Sequence, residues 1–395
     1  MALDPASDHF VFAAPTRFVG LCCRWPQTDE NRARLDRIAR TEITDWDAVW
    51  QEIERHRVLP LVAHTLHGSP DLPVPDTFRA ACKEAARQIT MRGLRQLTEA
   101  RSVEARFVKA GLNPVHFKGP TLAAHVFGSP AFKACKDIDI YVPPDQAAAA
   151  MVELTQMGFR PLEAPDGLTP RLQGAILRHM KDLEFIGPPA RGQVQLELHW
   201  RVSSYDGINR RVLSGLSEGA TTTAGLTLPE DADHFAYLCQ HGANHEWARL
   251  KWLADVAALW ETSSEAVRAD FLERARARGV LPACAQALHL ARDLIGTSVD
   301  AQTQLPAVPA LLRHAQSHIA GPYYTTSRRA RAQRHLGKLW VHWRYMQGWR
   351  ELPQTVSRFL VSPRDIFALP LPRALDWVYV VIRLPSYIYR ALSGR

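Results

Sequence analysis

The chain has 395 residues, 46% of them hydrophobic, and a formal net charge of +8. This composition excludes a disordered polypeptide and provides enough apolar surface for two or three domains, while the positive balance and a pI near 9.3 favour anionic ligands such as nucleotides, nucleic acid or an acidic membrane surface. The six cysteines form no CxxC pair and no framework spacing, and Met1 to Pro5 shows no signal-peptide pattern, so a reduced, cytoplasmic chain is expected.

In chain order, Thr41 to Leu66 has helical spacing through Ile43, Trp46, Val49, Trp50 and Ile53, with Asp45 placed to cap and a turn at His56 to Val62. Gly68 to Pro75 reads as a loop. Phe78 to Ala110 predicts a long helix, interrupted near Gly93 and stopped at Gly111. Val115 to Phe117 is a short strand that runs into the turn Lys118-Gly119-Pro120, followed by a short helix over Thr121 to Phe127. Asp137-Ile-Asp-Ile-Tyr-Val142 alternates acidic with apolar residues, as a strand does. Asp145 to Met157 predicts an alanine-rich helix, and Leu183 to Ile186 with Val194 to Trp200 predicts a hairpin. From Pro229 onward the pattern is helical. The apolar stretch Trp377 to Pro385 is shorter than the ~20 residues of a membrane span, so no transmembrane segment is expected; its Trp, Tyr and Arg pattern leaves membrane-surface contact open.

The chemistry collects on three of these segments. Asp137 and Asp139 would project from one face of their strand, about 6 to 7 Å apart, where two carboxylates can share divalent metal ions. Glu197, in Gln195-Leu-Glu-Leu-His-Trp-Arg201, offers a third carboxylate by the same alternation. The glycine of Lys118-Gly119 lets backbone N–H groups approach an anion, and the lysine can reach a phosphate. His199 shares the face of Glu197 and could accept an acceptor's proton, fix Glu197, or serve as an ordinary hydrogen-bonded strand histidine. Charged residues on an exposed edge strand give the same alternation without any metal.

His241 and His245 stand four apart and could ligate a transition metal with Cys239 or Asp255. Glu246 follows the second histidine, so the order is not that of a zinc protease, and helix-face histidines are usually structural. Arg249 and Lys251 are candidate phosphate contacts. Arg328, Arg329, Arg331 and Arg334 with Trp340, Trp343 and Trp349 could bind nucleic acid by charge and stacking, although amphipathic helices with buried tryptophans look the same.

The order Lys118-Gly119, Asp137-Ile-Asp139, Glu197-Leu-His-Trp200, then His241-Gly-x-x-His245 and Leu250-Lys-Trp-Leu-x-Asp255, resembles the bacterial uncharacterised nucleotidyltransferase family, a branch of the DNA polymerase beta-like superfamily. The resemblance runs from near residue 40 to the proline-punctuated segment Val361 to Pro372. It implies an α/β (α+β) nucleotidyltransferase core with a small mixed sheet, flanked by N-terminal helices (1–111) and a C-terminal helical domain (229–395), the core being 112–228. It implies Asp137, Asp139 and Glu197 as catalytic metal ligands for Mg²⁺ or Mn²⁺. It implies nucleotide binding by Lys118, Gly119, Lys133 (where the family carries arginine), His199, His241, His245 and Arg249. The implied reaction moves a nucleoside monophosphate from an NTP, ATP being expected, to a hydroxyl of a small molecule, sugar, peptide or protein, with release of pyrophosphate. Two alternatives stay open: a catalytically silent nucleotide-binding or partner-binding module, and an RNA-directed transferase. Without a recognisable RNA-binding module, nucleic acid is not the favoured partner.

Overall fold

The computed structural model describes residues 11–202, 221–300, 303, 305–321, 337, 340–341, 361–383 and 385. Of the arginine and tryptophan run expected to bind nucleic acid, all but Trp340 lies outside the described residues. The chain forms two compact units, each assembled from three stretches: Met1–Leu94, Ala123–Ala134 and Asp231–Tyr345 in the first, and Arg95–Leu122, Cys135–Glu230 and Met346–Arg395 in the second. Each unit is therefore discontinuous in sequence, with helices from before and after the sheet-bearing segment in one unit.

The first unit is helical. Three of its described helices open on side chains that accept from orphan amides: Thr28 from Asn31, Asp45 from Asp47 and Ala48, and Ser264 from Val267. Helices Trp46–His56 and Leu59–His67 are separated by Arg57 in the left-handed conformation, which makes the expected turn. Two further helices, Ala14–Cys22 and Asp29–Thr41, occupy the start of the chain. The histidine-rich segment ends helix Asp231–Asn244 and leads to helix Leu250–Thr262. There Gly242 lies under the buried Trp247 indole, where a Cβ would come within 2.1 Å of the ring.

Helix Asp76–Lys109 runs without a break, contrary to the expected interruption at Gly93. A glycine inside a helix costs only about 1 kcal/mol against alanine. At position 93 a Cβ would stand 3.0 Å from the Pro130 carbonyl oxygen, so this glycine serves close approach and not a kink.

The second unit holds the sheet. Strands β1 (Val115–His116), β2 (Asp137–Tyr141), β3 (Arg160–Pro161), β4 (Asp182–Ile186) and β5 (Gln195–His199) lie in the order β1-β2-β5-β4-β3. Only β2 and β5 are parallel, so the sheet is mixed as expected. Strict alternation sorts the side chains. Ile138, Ile140, Leu183, Phe185, Leu196 and Leu198 join one core with Val103, Phe107, Ala150, Met151 and Leu154. Asp137, Asp139, Glu197 and His199 take the other face. The same core includes Ile366, Leu371 and Tyr379 from the last stretch of the chain. Tyr379 is fixed there by donating to the Leu369 carbonyl and accepting from the Leu371 N–H. A separate hairpin, β6 (Thr221–Thr223) and β7 (Leu226–Leu228), turns through Ala224 and Gly225, both at positive φ. Among the described residues no helix is long and apolar enough to cross a membrane.

Candidate functional site

The register of the parallel pair makes the site. Asp139 stands opposite Glu197, Asp137 opposite Gln195 and Tyr141 opposite His199, so the acids of two strands far apart in sequence meet on one face. On the other side of β5, Glu184 of β4 is the partner of Glu197 and Asp182 that of His199. Sequence reasoning missed Asp182 and Glu184, although Lys181-Asp-Leu-Glu-Phe185 carries the same acidic alternation as β2.

His199 organises the cluster. Its Nε2 lies 3.1 Å from Asp139 Oδ1 and 3.2 Å from Glu197 Oε2, and its Nδ1 lies 3.6 Å from Asp182 Oδ2. The ring is buried edge-on against Phe117, with centroids 5.0 Å apart. Its Nε2 thus lies between the carboxylates of Asp139 and Glu197. Burial opposes a charged imidazole, but its hydrogen bonds to Asp139 and Glu197 raise its pKa above the usual histidine range.

Lys118 follows β1, and its ammonium is 2.6 Å from Asp139 Oδ1. Gly119 has φ +71°, and a Cβ there would sit 3.4 Å from the Asp137 carbonyl oxygen and 4.0 Å from Asp139 Oδ2. There is room for a side chain in ordinary contact, so it is the left-handed backbone that favours glycine at this turn. Helix Gly119–Phe127 begins at this point.

The three acids differ in proton affinity. Burial, reinforced by the charges of Asp139 and Glu197, pushes the Asp137 carboxyl up to about 7. Burial also acts on Asp139 and Glu197, but is outweighed at Asp139 by Lys118 and His199 and at Glu197 by His199, so both are held below the usual carboxylate range. Donor atoms of Asp139, Glu197 and His199 lie within 4.8 Å of one another. An oxygen-rich set of this kind fits a hard divalent cation, with Asp137 alongside.

The other expected nucleotide contacts belong to the helical unit. Lys133 is buried and its ammonium pairs with Asp255, the acid that ends Leu250-Lys-Trp-Leu-x-Asp255. Burial raises the Asp255 carboxyl, against the pull of Lys133. His245 stacks on Trp252 at 4.5 Å, His241 approaches His245 at 4.6 Å between ring centroids, and Tyr237 Oη is 3.3 Å from His241 Nδ1. Among the described residues neither histidine joins a three-donor metal cluster, and Cys239 is buried with its thiol pKa raised by burial. Arg249 is buried at the start of helix Leu250–Thr262.

Beyond geometry, comparison with known families decides the class. A family described as uncharacterised nucleotidyltransferase matches residues 42–296, more than half of the chain and spanning every element of the acidic cluster. The chain belongs to this family. A nucleotidyltransferase assignment agrees with the small mixed sheet, its flanking helices and the position of the acids, and it makes the protein a transferase acting on an NTP. No curated protein matches the chain.

Proposed function

We propose that the acidic face of β2 and β5 transfers a nucleoside monophosphate from an NTP, with ATP the first candidate, to a hydroxyl acceptor. The observation that carries this reading is the parallel register that sets Asp139 beside Glu197, next to a lysine and a positive-φ glycine. Asp137, Asp139 and Glu197 would hold Mg²⁺ or Mn²⁺, which when bound would neutralise triphosphate charge and ease deprotonation of the acceptor. Lys118 and the backbone N–H groups at Gly119 would bind phosphate oxygens, with Lys118 turning from Asp139 to the nucleotide. His199 would position Asp139 and Glu197 from beneath. The acceptor hydroxyl gives its proton to solvent, its oxygen attacks the α-phosphorus, the bond from that phosphorus to the β-bridging oxygen breaks, and pyrophosphate leaves. The depressed pKa of Glu197 suits a metal ligand better than a general base.

Calorimetric titration with each NTP, with and without Mg²⁺, tests this. Metal-dependent binding should fall at least about tenfold in the Asp137→Asn, Asp139→Asn double variant. Equal binding by wild type and a folded double variant would overturn the assignment of the site. Pyrophosphate release then identifies the acceptor among hydroxyl-bearing small molecules, sugars, peptides and proteins.

A further inference from the structure

Three metal-ligating side chains converge in the helical unit, away from the acidic strands in sequence and in chemistry. His314 and His318 stand four apart on helix Pro309–Ala320 and so share a face. Glu246 comes from the turn that follows helix Asp231–Asn244. Its Oε1 lies 3.0 Å from His314 Nε2 and 3.6 Å from His318 Nε2, and one donor atom from each residue lies within 4.8 Å of the others. A tetrahedral ion with bonds of about 2.0–2.1 Å sets its ligand atoms about 3.3 Å apart. The two measured separations straddle that value.

The surroundings are shaped for this convergence. Glu246 and Trp247 are consecutive non-glycine residues in the left-handed conformation, at φ 56° and 53°. Each such residue costs about 1–2 kcal/mol, and the turn is held by the Glu246 N–H donating to Ala243 and the Trp247 N–H to Gly242. The Glu246 side chain is 4% exposed, whereas the two imidazoles are 19% and 20% exposed, so the carboxylate is supplied from inside and the histidines border the accessible side. Gly337 lies over the cluster, where a Cβ would stand 3.2 Å from His314 Cε1 and 3.5 Å from Glu246 Oε1. The His314 ring packs on Trp340, with centroids 5.5 Å apart.

We propose that Glu246, His314 and His318 bind one transition-metal ion of the zinc class. Two imidazole nitrogens and one carboxylate oxygen select such an ion over Mg²⁺, and three protein ligands leave a fourth position for water. The ion would clamp helix Pro309–Ala320 to the turn after helix Asp231–Asn244. This site is independent of the transferase reading and stands or falls without it.

The test uses the full chain, stripped with chelator and dialysed against Zn²⁺ in excess Mg²⁺, with bound zinc measured by mass spectrometry and Co²⁺ substitution followed by visible absorption. Wild type should retain one zinc per chain and show a tetrahedral Co²⁺ band. The variant Asp139→Asn with Glu197→Gln, which disables the strand-face donors, should do the same. His314→Gln with His318→Gln should weaken zinc binding about tenfold or more and lose the band. Should that variant fail to fold by circular dichroism, His318→Gln alone decides, and zinc should raise the melting temperature of wild type but not of this variant. No zinc bound by folded wild type, or zinc binding unchanged in His318→Gln, would overturn the proposal.

Discussion

Lys133 and Asp255 show how a residue's neighbours change what its charge is for. A buried ion pair contributes little net stability, but breaking it strands a charge at a cost of about 3–5 kcal/mol. Lys133→Met should therefore lower the denaturation midpoint strongly, while Lys133→Met with Asp255→Leu recovers most of the loss; additive losses in a double-mutant cycle would contradict the pairing. His56 carries a second prediction. Its side chain is fully buried and its Nδ1 accepts from the Leu250 N–H. Burial, with further help from the Arg55 and Arg249 cations, pulls its pKa from 6.5 to about 4 against the pull of Glu52. The unfolded chain binds the proton more readily, so this stabilisation is complete above pH ~6.5 and is lost as pH falls toward ~4, by at most about 3 kcal/mol. Chemical denaturation across that window should show a steeper loss for wild type than for His56→Gln.

At the scale of elements, Gly242 explains a spacing that sequence could only record. Trp247 turns back over the helix, donates from Nε1 to Gln286 Oε1 at 2.9 Å, and leaves no room for a side chain at position 242. Gly242→Ala should cost about 1–3 kcal/mol by overpacking, read as a fall in melting temperature; an unchanged melting temperature would show that the indole moves freely. The sheet was legible because alternation survives in β2, β4 and β5, and the acids of β2 and β5 were legible for the same reason. Helices Ala14–Cys22, Asp29–Thr41 and Pro170–His179 were not read; the first buries an almost unbroken run from Phe18 to Cys22, and a run that is apolar on every side shows no helical contrast. The bridging role of His199 was open among three readings, since only the register of two strands fixes its distance to Asp139. Glu246 and His314 are 68 positions apart, and no local spacing announces their meeting.

The whole molecule interleaves its two units along the chain. Unit two draws Val103 and Phe107 from the end of helix Asp76–Lys109 and Ile366, Leu371 and Tyr379 from beyond residue 360 into the core under the acidic strands. Arg178 ties the same region together by pairing with Asp376 at 3.0 Å. A fragment covering only residues 112–228 lacks these side chains, each of which stabilises by about 1.5–3 kcal/mol when buried. It should fail to unfold cooperatively and should bind no nucleotide, whereas the full-length protein should do both; a cooperative transition for the fragment would show that the distant stretches are dispensable.

The parallel pairing of β2 with β5 has a kinetic consequence. Asp139 and His199 are 60 positions apart, and a parallel strand pair cannot close through a tight turn. The loop entropy between them must be overcome before any carboxylate meets its neighbour, which places formation of the acidic cluster among the slow, non-local events of folding. A chain still emerging from the ribosome, or one collapsed but not yet paired, carries its acids scattered and chemically inert. On the proposed function, competence would arrive only with the completed sheet, and the onset of metal-dependent nucleotide binding would serve as a clock for the last stage of folding.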